Sequence, residues 1–565
     1  MQLRSLTTSR RTALRAGATG AAIVGASALS PLTASAEQAP TADTGDSNAA
    51  ATEHSVFQHG VASGDPLPNS VLLWTRATSH AGDIPGSGAG HPVNLRWEVA
   101  TDEAFSSIVA SGTTVANPAA DQTVKVEPTG LAADTWFYFR FIVADGEYSG
   151  QISPIGRTRT TPPVNSSPEH LGIALTSCAN FETGYFSAYG DMARNDGIDI
   201  VMCVGDYIYE YGTGEYAGKT GPIRTHQPEH EIVTLQDYRR RYGEYRTDSD
   251  LQEAHRVKPW VVTWDDHEVA NDSYHNGAEN HTEGEEGSYA ARRDAAIQAY
   301  LEWLPVRATT FSEQGHLYRS FNYGDLAEIV MLDLRTYRDQ PVEFKAMAGI
   351  DDESRSMLGS EQFEFLRGQW TTSSATWNIV GNSVMFTPVL IPPMDPEATR
   401  AVTELLGMPE EGIPYNFDQW DGFAAERRKL IDLMGEHQLD NVVFLTGDIH
   451  SSWACNVPRS PGRYPVDGVA AMEFVCTSVS APNIDDIVKL PQRNGISLTA
   501  ETALTGVNRH VKYLEFDHHG YAAIHFTSDE VRAEYRFVQD KTQKDQELFV
   551  AAQYVGRRGS GVTLA

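Results

Sequence analysis

The sequence is short of cysteine, of positive charge and of long apolar runs. Four cysteines in 565 residues are too few for a disulfide-stapled scaffold, so the fold must rest on a packed core. Lysine and arginine number 44 against 75 aspartates and glutamates, a formal charge of −31. That balance excludes a general nucleic-acid binder, whose affinity comes from cationic contacts to phosphate. An acidic surface would also repel any anionic substrate, unless bound cations reverse the sign locally. Beyond the first 36 residues no stretch offers the roughly 18 uninterrupted apolar residues that a membrane-crossing helix needs, so no transmembrane segment is expected in the mature chain. What remains is ordinary globular composition, 41% hydrophobic, 10% aromatic and 21% charged. Wholesale disorder is thereby excluded, and the length allows more than one domain.

Residues 1–36 look like a targeting segment and not part of a fold. Arg4, Arg10, Arg11 and Arg15 precede the first acid, Glu37. A modest apolar run over residues 16–32 then closes on Ala34-Ser35-Ala36, a small-x-small cleavage pattern. The Arg10-Arg11 pair looks like a twin-arginine signal, with a plain secretory signal or a membrane anchor as alternatives. It implies the twin-arginine export machinery as a partner and a secreted, extracellular mature protein, expected to work as a monomer. That export route carries folded proteins, which suits a cofactor loaded beforehand. Residues 37–55 are small and polar and are expected to form a flexible linker.

Residues 56–163 alternate short apolar runs with turn residues. Residues 70–75, 95–100 and 136–143 are predicted strands, and the spacing indicates an antiparallel β-sandwich of immunoglobulin or fibronectin size. A Thr-, Pro- and Ser-rich stretch at 158–168 marks the expected boundary. Residues 164–540 then alternate apolar runs (171–176, 198–204, 260–264, 327–332, 377–380, 442–445) with helical periodicity (236–245, 289–303, 360–369, 424–437). Such alternation predicts a layered α/β domain with partly parallel sheets. Residues 541–565 are expected to form a tail, with a short lid helix and a disordered end.

Four predicted strand ends carry chemistry. They are Ser177-Cys178-Ala179-Asn180, Gly205-Asp206-Tyr207-Ile208-Tyr209, Asp265-Asp266-His267-Glu268 and Gly447-Asp448-Ile449-His450. Singly, each has an ordinary explanation: Gly-Asp is a turn, a lone cysteine is core, a tyrosine is packing, and an Asp-Asp pair caps a helix. Together they set carboxylates, imidazoles, a thiol and a phenol where α/β folds collect ligands. Crowded carboxylates repel one another unless cations lie between them. The pattern points to a metal cluster.

These residues resemble the PhoD-type alkaline phosphatases, a branch of the calcineurin-like metallophosphoesterases. The likeness covers nearly the whole mature chain. It opens at Phe57-Gln58-His59-Gly60-Val61-Ala62-Ser63-Gly64-Asp65-Pro66 and continues through SCAN, GDYIYEYG, WDDHEVAND, MLDLRTYR, GNSVMF, DQWDGF and GDIHSSW. The resemblance implies a four-layer metallophosphoesterase β-sandwich flanked by helices, preceded by the all-β domain. It implies hydrolysis of phosphomonoesters and phosphodiesters, with phospholipid head groups as the alternative substrate because some of the family act as phospholipase D. No HxKxxxxD motif is present, so such activity would use the same site.

Carried over residue by residue, the resemblance implies a ferric ion (Fe3+) held by Cys178, Asp206, Tyr209 and His450. One or two calcium ions (Ca2+) would sit beside it, with Asp206 bridging and Asp266 and Asp448 as further oxygen ligands; Asn382 matches a family asparagine near the metals. The wider superfamily's Asp-x-His and Gly-His-x-His motifs are replaced here by Ser177-Cys178 and Asp448, which favours iron and calcium over zinc or manganese. His267 would protonate or stabilise the leaving oxygen, or else support a ligand by a hydrogen bond. Arg335 and Arg338 would bind phosphate oxygens, the alternative being ion pairs with Asp333 or Asp339. Elsewhere, Cys455 and Cys476 are candidates for a disulfide, His518 and His519 are expected at the surface, His510 is a candidate support for the site, and residues 279–286 read as a solvated acidic loop.

Overall fold

The computed structural model describes residues 55–308 and 315–565. The expected signal segment and all but the last residue of the expected linker lie outside the described residues. The amino-terminal part contributes β1 (Val61–Leu67), β2 (Ser70–Arg76), β3 (Val93–Ala100), β4 (Ile108–Ala116), β5 (Thr123–Val126), β6 (Trp136–Val143) and β7 (Gly156–Arg159). Next come β8 (Leu171–Thr176), β9 (Ile200–Val204), β10 (Pro259–Thr263), β11 (Arg319–Tyr323), β12 (Ala327–Met331), β13 (Trp377–Asn382) and β14 (Val442–Thr446). The remainder is β15 (Ser452–Pro458), β16 (Val469–Val475), β17 (Val511–Glu515), β18 (Gly520–Phe526), β19 (Val531–Phe537), β20 (Phe549–Arg557) and β21 (Gly561–Leu564).

Side-chain alternation sets the layers. In β8, Leu171, Ile173 and Leu175 join Met202 and Val204 of β9 in the core between the two large sheets, while Ala174, Val201 and Cys203 pack on the opposite face among helices. In β14, Val443 and Leu445 enter the inter-sheet core. Its Val442 and Phe444 face the helices Gly359–Thr372 and Ala424–Glu436. A period of two on strands covered on both faces therefore yields helix, sheet, sheet, helix. This is the four-layer arrangement that the resemblance implies.

One sheet has ten strands in the order β21-β20-β19-β18-β8-β9-β10-β1-β2-β5, the other seven in the order β11-β12-β13-β14-β16-β15-β17. β8, β9 and β10 run parallel, as do β12, β13, β14 and β16. The amino-terminal strands do form a sandwich: the four-stranded sheet β4-β3-β6-β7 packs on β1, β2 and β5 through an apolar core that includes Val71, Leu73, Leu95, Phe139 and Phe141. However, β1 pairs in parallel with β10, Ser63 lying opposite Pro259 and Gly64 opposite Trp260. The ten-stranded sheet thus runs through the boundary read at residues 158–168.

Three expectations are corrected. The tail forms no lid helix: β20 and β21 extend the sheet from β19, burying Tyr554, Val555 and Val562 and covering what would be a bare edge. Cys455 and Cys476 do not pair; all four cysteines are free and buried. Cys455 packs with Trp453 and Val475, whereas Cys476 lies with Ala454 and Phe474 in the inter-sheet core, so the two thiols occupy opposite faces of the sheet. His519 is 2% exposed and so is packed rather than at the surface, while half-buried His518 stacks on Phe537 at 5.3 Å.

Candidate metal centre

The candidate ligands sit where parallel strands end. Cys178 follows β8, Asp206 follows β9, Asp265 and Asp266 follow β10, and Asp448 and His450 follow β14. Cys178, Asp206, Asp448 and His450 have φ of 58°, 55°, 67° and 48°. Left-handed backbone is uncommon away from glycine, and strain of this kind gathers at functional sites. Two glycines let the loops touch. A Cβ on Gly205 (φ +111°) would fall 2.3 Å from Asp265 Cβ, and one on Gly447 would fall 2.4 Å from Ser177 Oγ. Buried Glu268 ties the β9 and β10 loops together, accepting from the backbone N–H groups of Tyr207 (2.6 Å), Asp265 (2.8 Å) and Asp206 (3.0 Å).

Three overlapping groups result, each with ligand atoms within 4.8 Å of one another: Cys178, Asp206 and His450; Asp206, Asp266 and His267; Asp265, Asp266 and Asp448. Tyr209 closes the first group, its hydroxyl donating to Asp206 Oδ2 at 3.0 Å and lying 3.1 Å from His450 Nε2. His450 Nδ1 is 2.8 Å from the Pro482 carbonyl. Donation there leaves the Nε2 lone pair for a ligand contact. Asp206 Oδ1 and Asp266 Oδ1 are buried without a hydrogen bond, although Arg335 Nη2 is 3.4 Å from the latter. Buried carboxylate oxygens are normally satisfied, so these two fit a bound cation.

The electrostatics agree. Burial, then the carboxylates Asp266, Asp265 and Asp448, push Asp206 well above the usual carboxylate range, with His267 opposing. Burial also drives the Cys178 thiol and the Tyr209 phenol well up, Asp206 adding to both. Burial lowers His450 to about 4 and keeps it neutral. Without a cation the thiol and phenol hold their protons; a cation would displace them.

Around these groups lies a second set of contacts. His267 Nδ1 is 2.7 Å from Glu210 Oε2; burial alone would lower this imidazole, but Glu210, Asp206 and Asp266 raise it well above its ordinary range. Glu210 also accepts from Asn271 N and from Asn280 Nδ2, both at 2.8 Å, so the acidic loop at 279–286 lends the site a residue. Arg335 and Arg338 are buried and paired, but not with Asp333 or Asp339. Arg335 forks onto Asp265, reaches Asp418 at 2.6 Å and Asp448 at 3.2 Å. Arg338 binds Asp418 Oδ1 at 2.7 Å and the carbonyls of Ser273 and Asp418.

Asn382 is committed elsewhere. Its Nδ2 donates to Val384 O and to Thr446 Oγ1, and its Oδ1 accepts from Trp420 Nε1 at 3.0 Å. It braces the end of β14, one residue before Gly447-Asp448. His510 is likewise not at the centre; its Nε2 is 2.7 Å from the Pro388 carbonyl. The sequence places Glu268 at a strand end without a role and assigns none to Glu210, Asp418 or Gln419, whose Nε2 donates to Asp448 Oδ2 at 2.9 Å. The DQWDGF segment that holds Asp418 and Gln419 was the available signal.

Comparison with known proteins bears on this geometry. The family model described as PhoD-like phosphatase matches residues 173–535, and that of the PhoD-like phosphatase N-terminal domain matches residues 41–162. The chain is 37% identical over 509 residues to alkaline phosphatase D of Bacillus subtilis (strain 168), covering 88% of this chain and 80% of that protein. A solved structure of PhoD superposes with a TM-score of 0.78 at 34% identity, covering 91% of this chain and 93% of the other. The purple acid phosphatase PPD1 from yellow lupin (Lupinus luteus) seeds shares the fold at a TM-score of 0.50 and 10% identity, over 88% of this chain and 73% of that one. The strand-end cluster and these likenesses agree: the chain belongs to the PhoD-like phosphatase family and is a phosphoric ester hydrolase.

Proposed function

We propose that the chain hydrolyses phosphomonoesters and phosphodiesters outside the cytoplasm, with a ferric ion held by Cys178, Asp206, Tyr209 and His450 and one or two calcium ions held by Asp206, Asp266 and Asp448. The observation that carries this is the overlap of the three ligand groups. Asp206 and Asp266 each belong to two of them, and each keeps one buried oxygen free of hydrogen bonds. Thiol, phenol and imidazole donors suit a transition metal, the first two as anions that favour the ferric state. The all-carboxylate group suits a hard cation. When bound, such cations activate water and neutralise charge on the phosphate.

The remaining roles fall to the protein. Glu210 grips His267 Nδ1, which fixes Nε2 as the nitrogen that can hold a proton for the leaving oxygen. Arg335 keeps Asp265 and Asp418 in place and lends positive charge to an otherwise acidic centre. Arg338 acts one step further out, through Asp418. Export is supported by Arg10-Arg11 and the cleavage pattern; among the described residues no helix is long and apolar enough to cross a membrane.

The test is turnover of a soluble monoester, a soluble diester and phosphatidylcholine by one preparation, with metal content and visible spectrum recorded. Both soluble esters should turn over faster than the phospholipid. Iron and calcium should be present, with a violet absorption that Tyr209→Phe removes. A phospholipid rate far above both would move the substrate to lipid head groups. Iron-free protein with a fully active Tyr209→Phe variant would overturn the ligand assignment.

A further inference from the structure

Cys178 and His450 come from different strands, yet one short loop braces both. The Ala481 N–H donates to the Cys178 carbonyl at 3.2 Å, with the Ser480 N–H at 3.4 Å from the same oxygen. The next residue, Pro482, accepts from His450 Nδ1 at 2.8 Å. The loop is pinned from behind by a residue of the tail. Lys541 lies between β19 and β20, beyond residue 535 where the catalytic family model ends. It is 6% exposed. Its ammonium donates to Ser480 O at 2.9 Å and to Asp486 Oδ2 at 2.5 Å, and lies 3.0 Å from His519 Nε2.

We propose that Lys541 is a positioning residue for Cys178 and His450, acting through the loop of residues 480–486; this rests on the function proposed above, in which those two residues hold a cation. A buried ion pair adds little net stability over well-packed apolar side chains, so stability alone does not account for an ammonium here. Geometry does. The three donors of an ammonium reach acceptors in different directions, and here they clamp both ends of the loop, Ser480 and Asp486. Cys178 and His450 both hold left-handed backbone, a conformation that persists only when its surroundings enforce it. Slackening the loop therefore frees a carbonyl beside one ligand and the ring of the other at once.

The experiment compares full-length wild type with Lys541→Met, which keeps the aliphatic stem and removes the donors, and with Lys541→Arg. Cation affinity is read by chelator competition, the ligand set by visible absorption, and thermal midpoint, kcat and KM are measured alongside. Lys541→Met should weaken cation retention by about 10- to 100-fold, the range seen when a support behind a metal ligand is lost. Its absorption maximum should move and kcat should fall with KM little changed, while Lys541→Arg restores part of each. If Lys541→Met lowers only the thermal midpoint, with affinity and absorption as in wild type, the lysine is merely structural and the proposal fails. Should that variant not fold, Asp486→Asn tests the same clamp from the loop side, and unchanged cation affinity there also overturns it. A wild type that binds no cation through Cys178 and His450 would sink the functional reading itself, whereas equal binding by wild type and variant sinks this inference alone.

Discussion

On one side of the centre, Cys178, Asp206, Tyr209 and His450 stand together, and among the described residues no lysine or arginine pairs with Asp206. On the other side, Asp265, Asp266 and Asp448 share the guanidinium of Arg335. Cys178, Asp206 and His450 have ligand atoms within 4.8 Å of one another, as do Asp265, Asp266 and Asp448, each group with one half-buried member. The difference lies in where the balancing charge comes from. The carboxylate side carries a permanent cation of its own and can keep its shape when stripped of metal. Among the described residues the thiol side has no guanidinium: Cys178 and Tyr209 hold their protons, and His267 is the group that offsets Asp206.

The largest effect should come from Asp206, which shares one ligand group with Cys178 and His450 and another with Asp266 and His267. Asp206→Asn should lower kcat about a thousandfold, the order lost when a group that stabilises transition-state charge is removed. Steady-state kinetics with metal analysis would check this, and retention of near wild-type turnover would break the picture of a shared ligand. Next comes Arg335→Met, which leaves Asp265, Asp266 and Asp448 without their cation. In metal-stripped protein it should cost about 3–5 kcal/mol, the cost of orphaning buried charge, whereas Cys178→Ala in the same protein should cost much less. Denaturant titration of both compares the two sides directly.

The smallest effect sharpens the contrast through pH. Burial would raise Asp418, but Arg335 and Arg338 outweigh it and hold the carboxyl at about 2, below the ordinary 3.8. A carboxyl depressed by folding contributes stability that is present above pH 3.8 and is lost as pH falls towards 2. At roughly 1.4 kcal/mol per pKa unit that loss is about 2–3 kcal/mol. Acid unfolding of wild type against Asp418→Asn should show it, with the variant flat over this window. Equal acid sensitivity would mean that the guanidinium pairs do not set the stability of the carboxylate side.

Much of this was legible in the sequence. The helix Tyr289–Trp303 and the strands Trp136–Val143 and Leu171–Thr176 were readable to the residue, because each carries an uninterrupted periodic run between turn residues. β1 was not, since VASGDPL contains glycine and proline, both depleted in strands; its pairing with β10 supplies what propensity does not. The ligands were legible as local motifs because each strand end delivers its residues in one short stretch. Their supports were not. Glu268 contacts a loop some sixty residues away, and Lys541 reaches Ser480 across 61. Asn382 matches a family asparagine near the metals, but its amide is used by Trp420 and Thr446, partners that only the folded chain brings within reach.

The pairing of β1 with β10 determines where this protein can be cut. Family boundaries fall between residues 162 and 173, which invites a catalytic fragment begun there. Such a fragment would bare the β10 edge, whose unpaired N–H and C=O groups template strand addition by neighbouring chains. It would also take from Arg319 the buried carboxylate of Asp65, which it grips at 2.8 and 2.9 Å. The amino-terminal sandwich is in this sense an edge guard, and fusions or permutations are better placed at the largely exposed outer strand β4 than at the seam that composition marks.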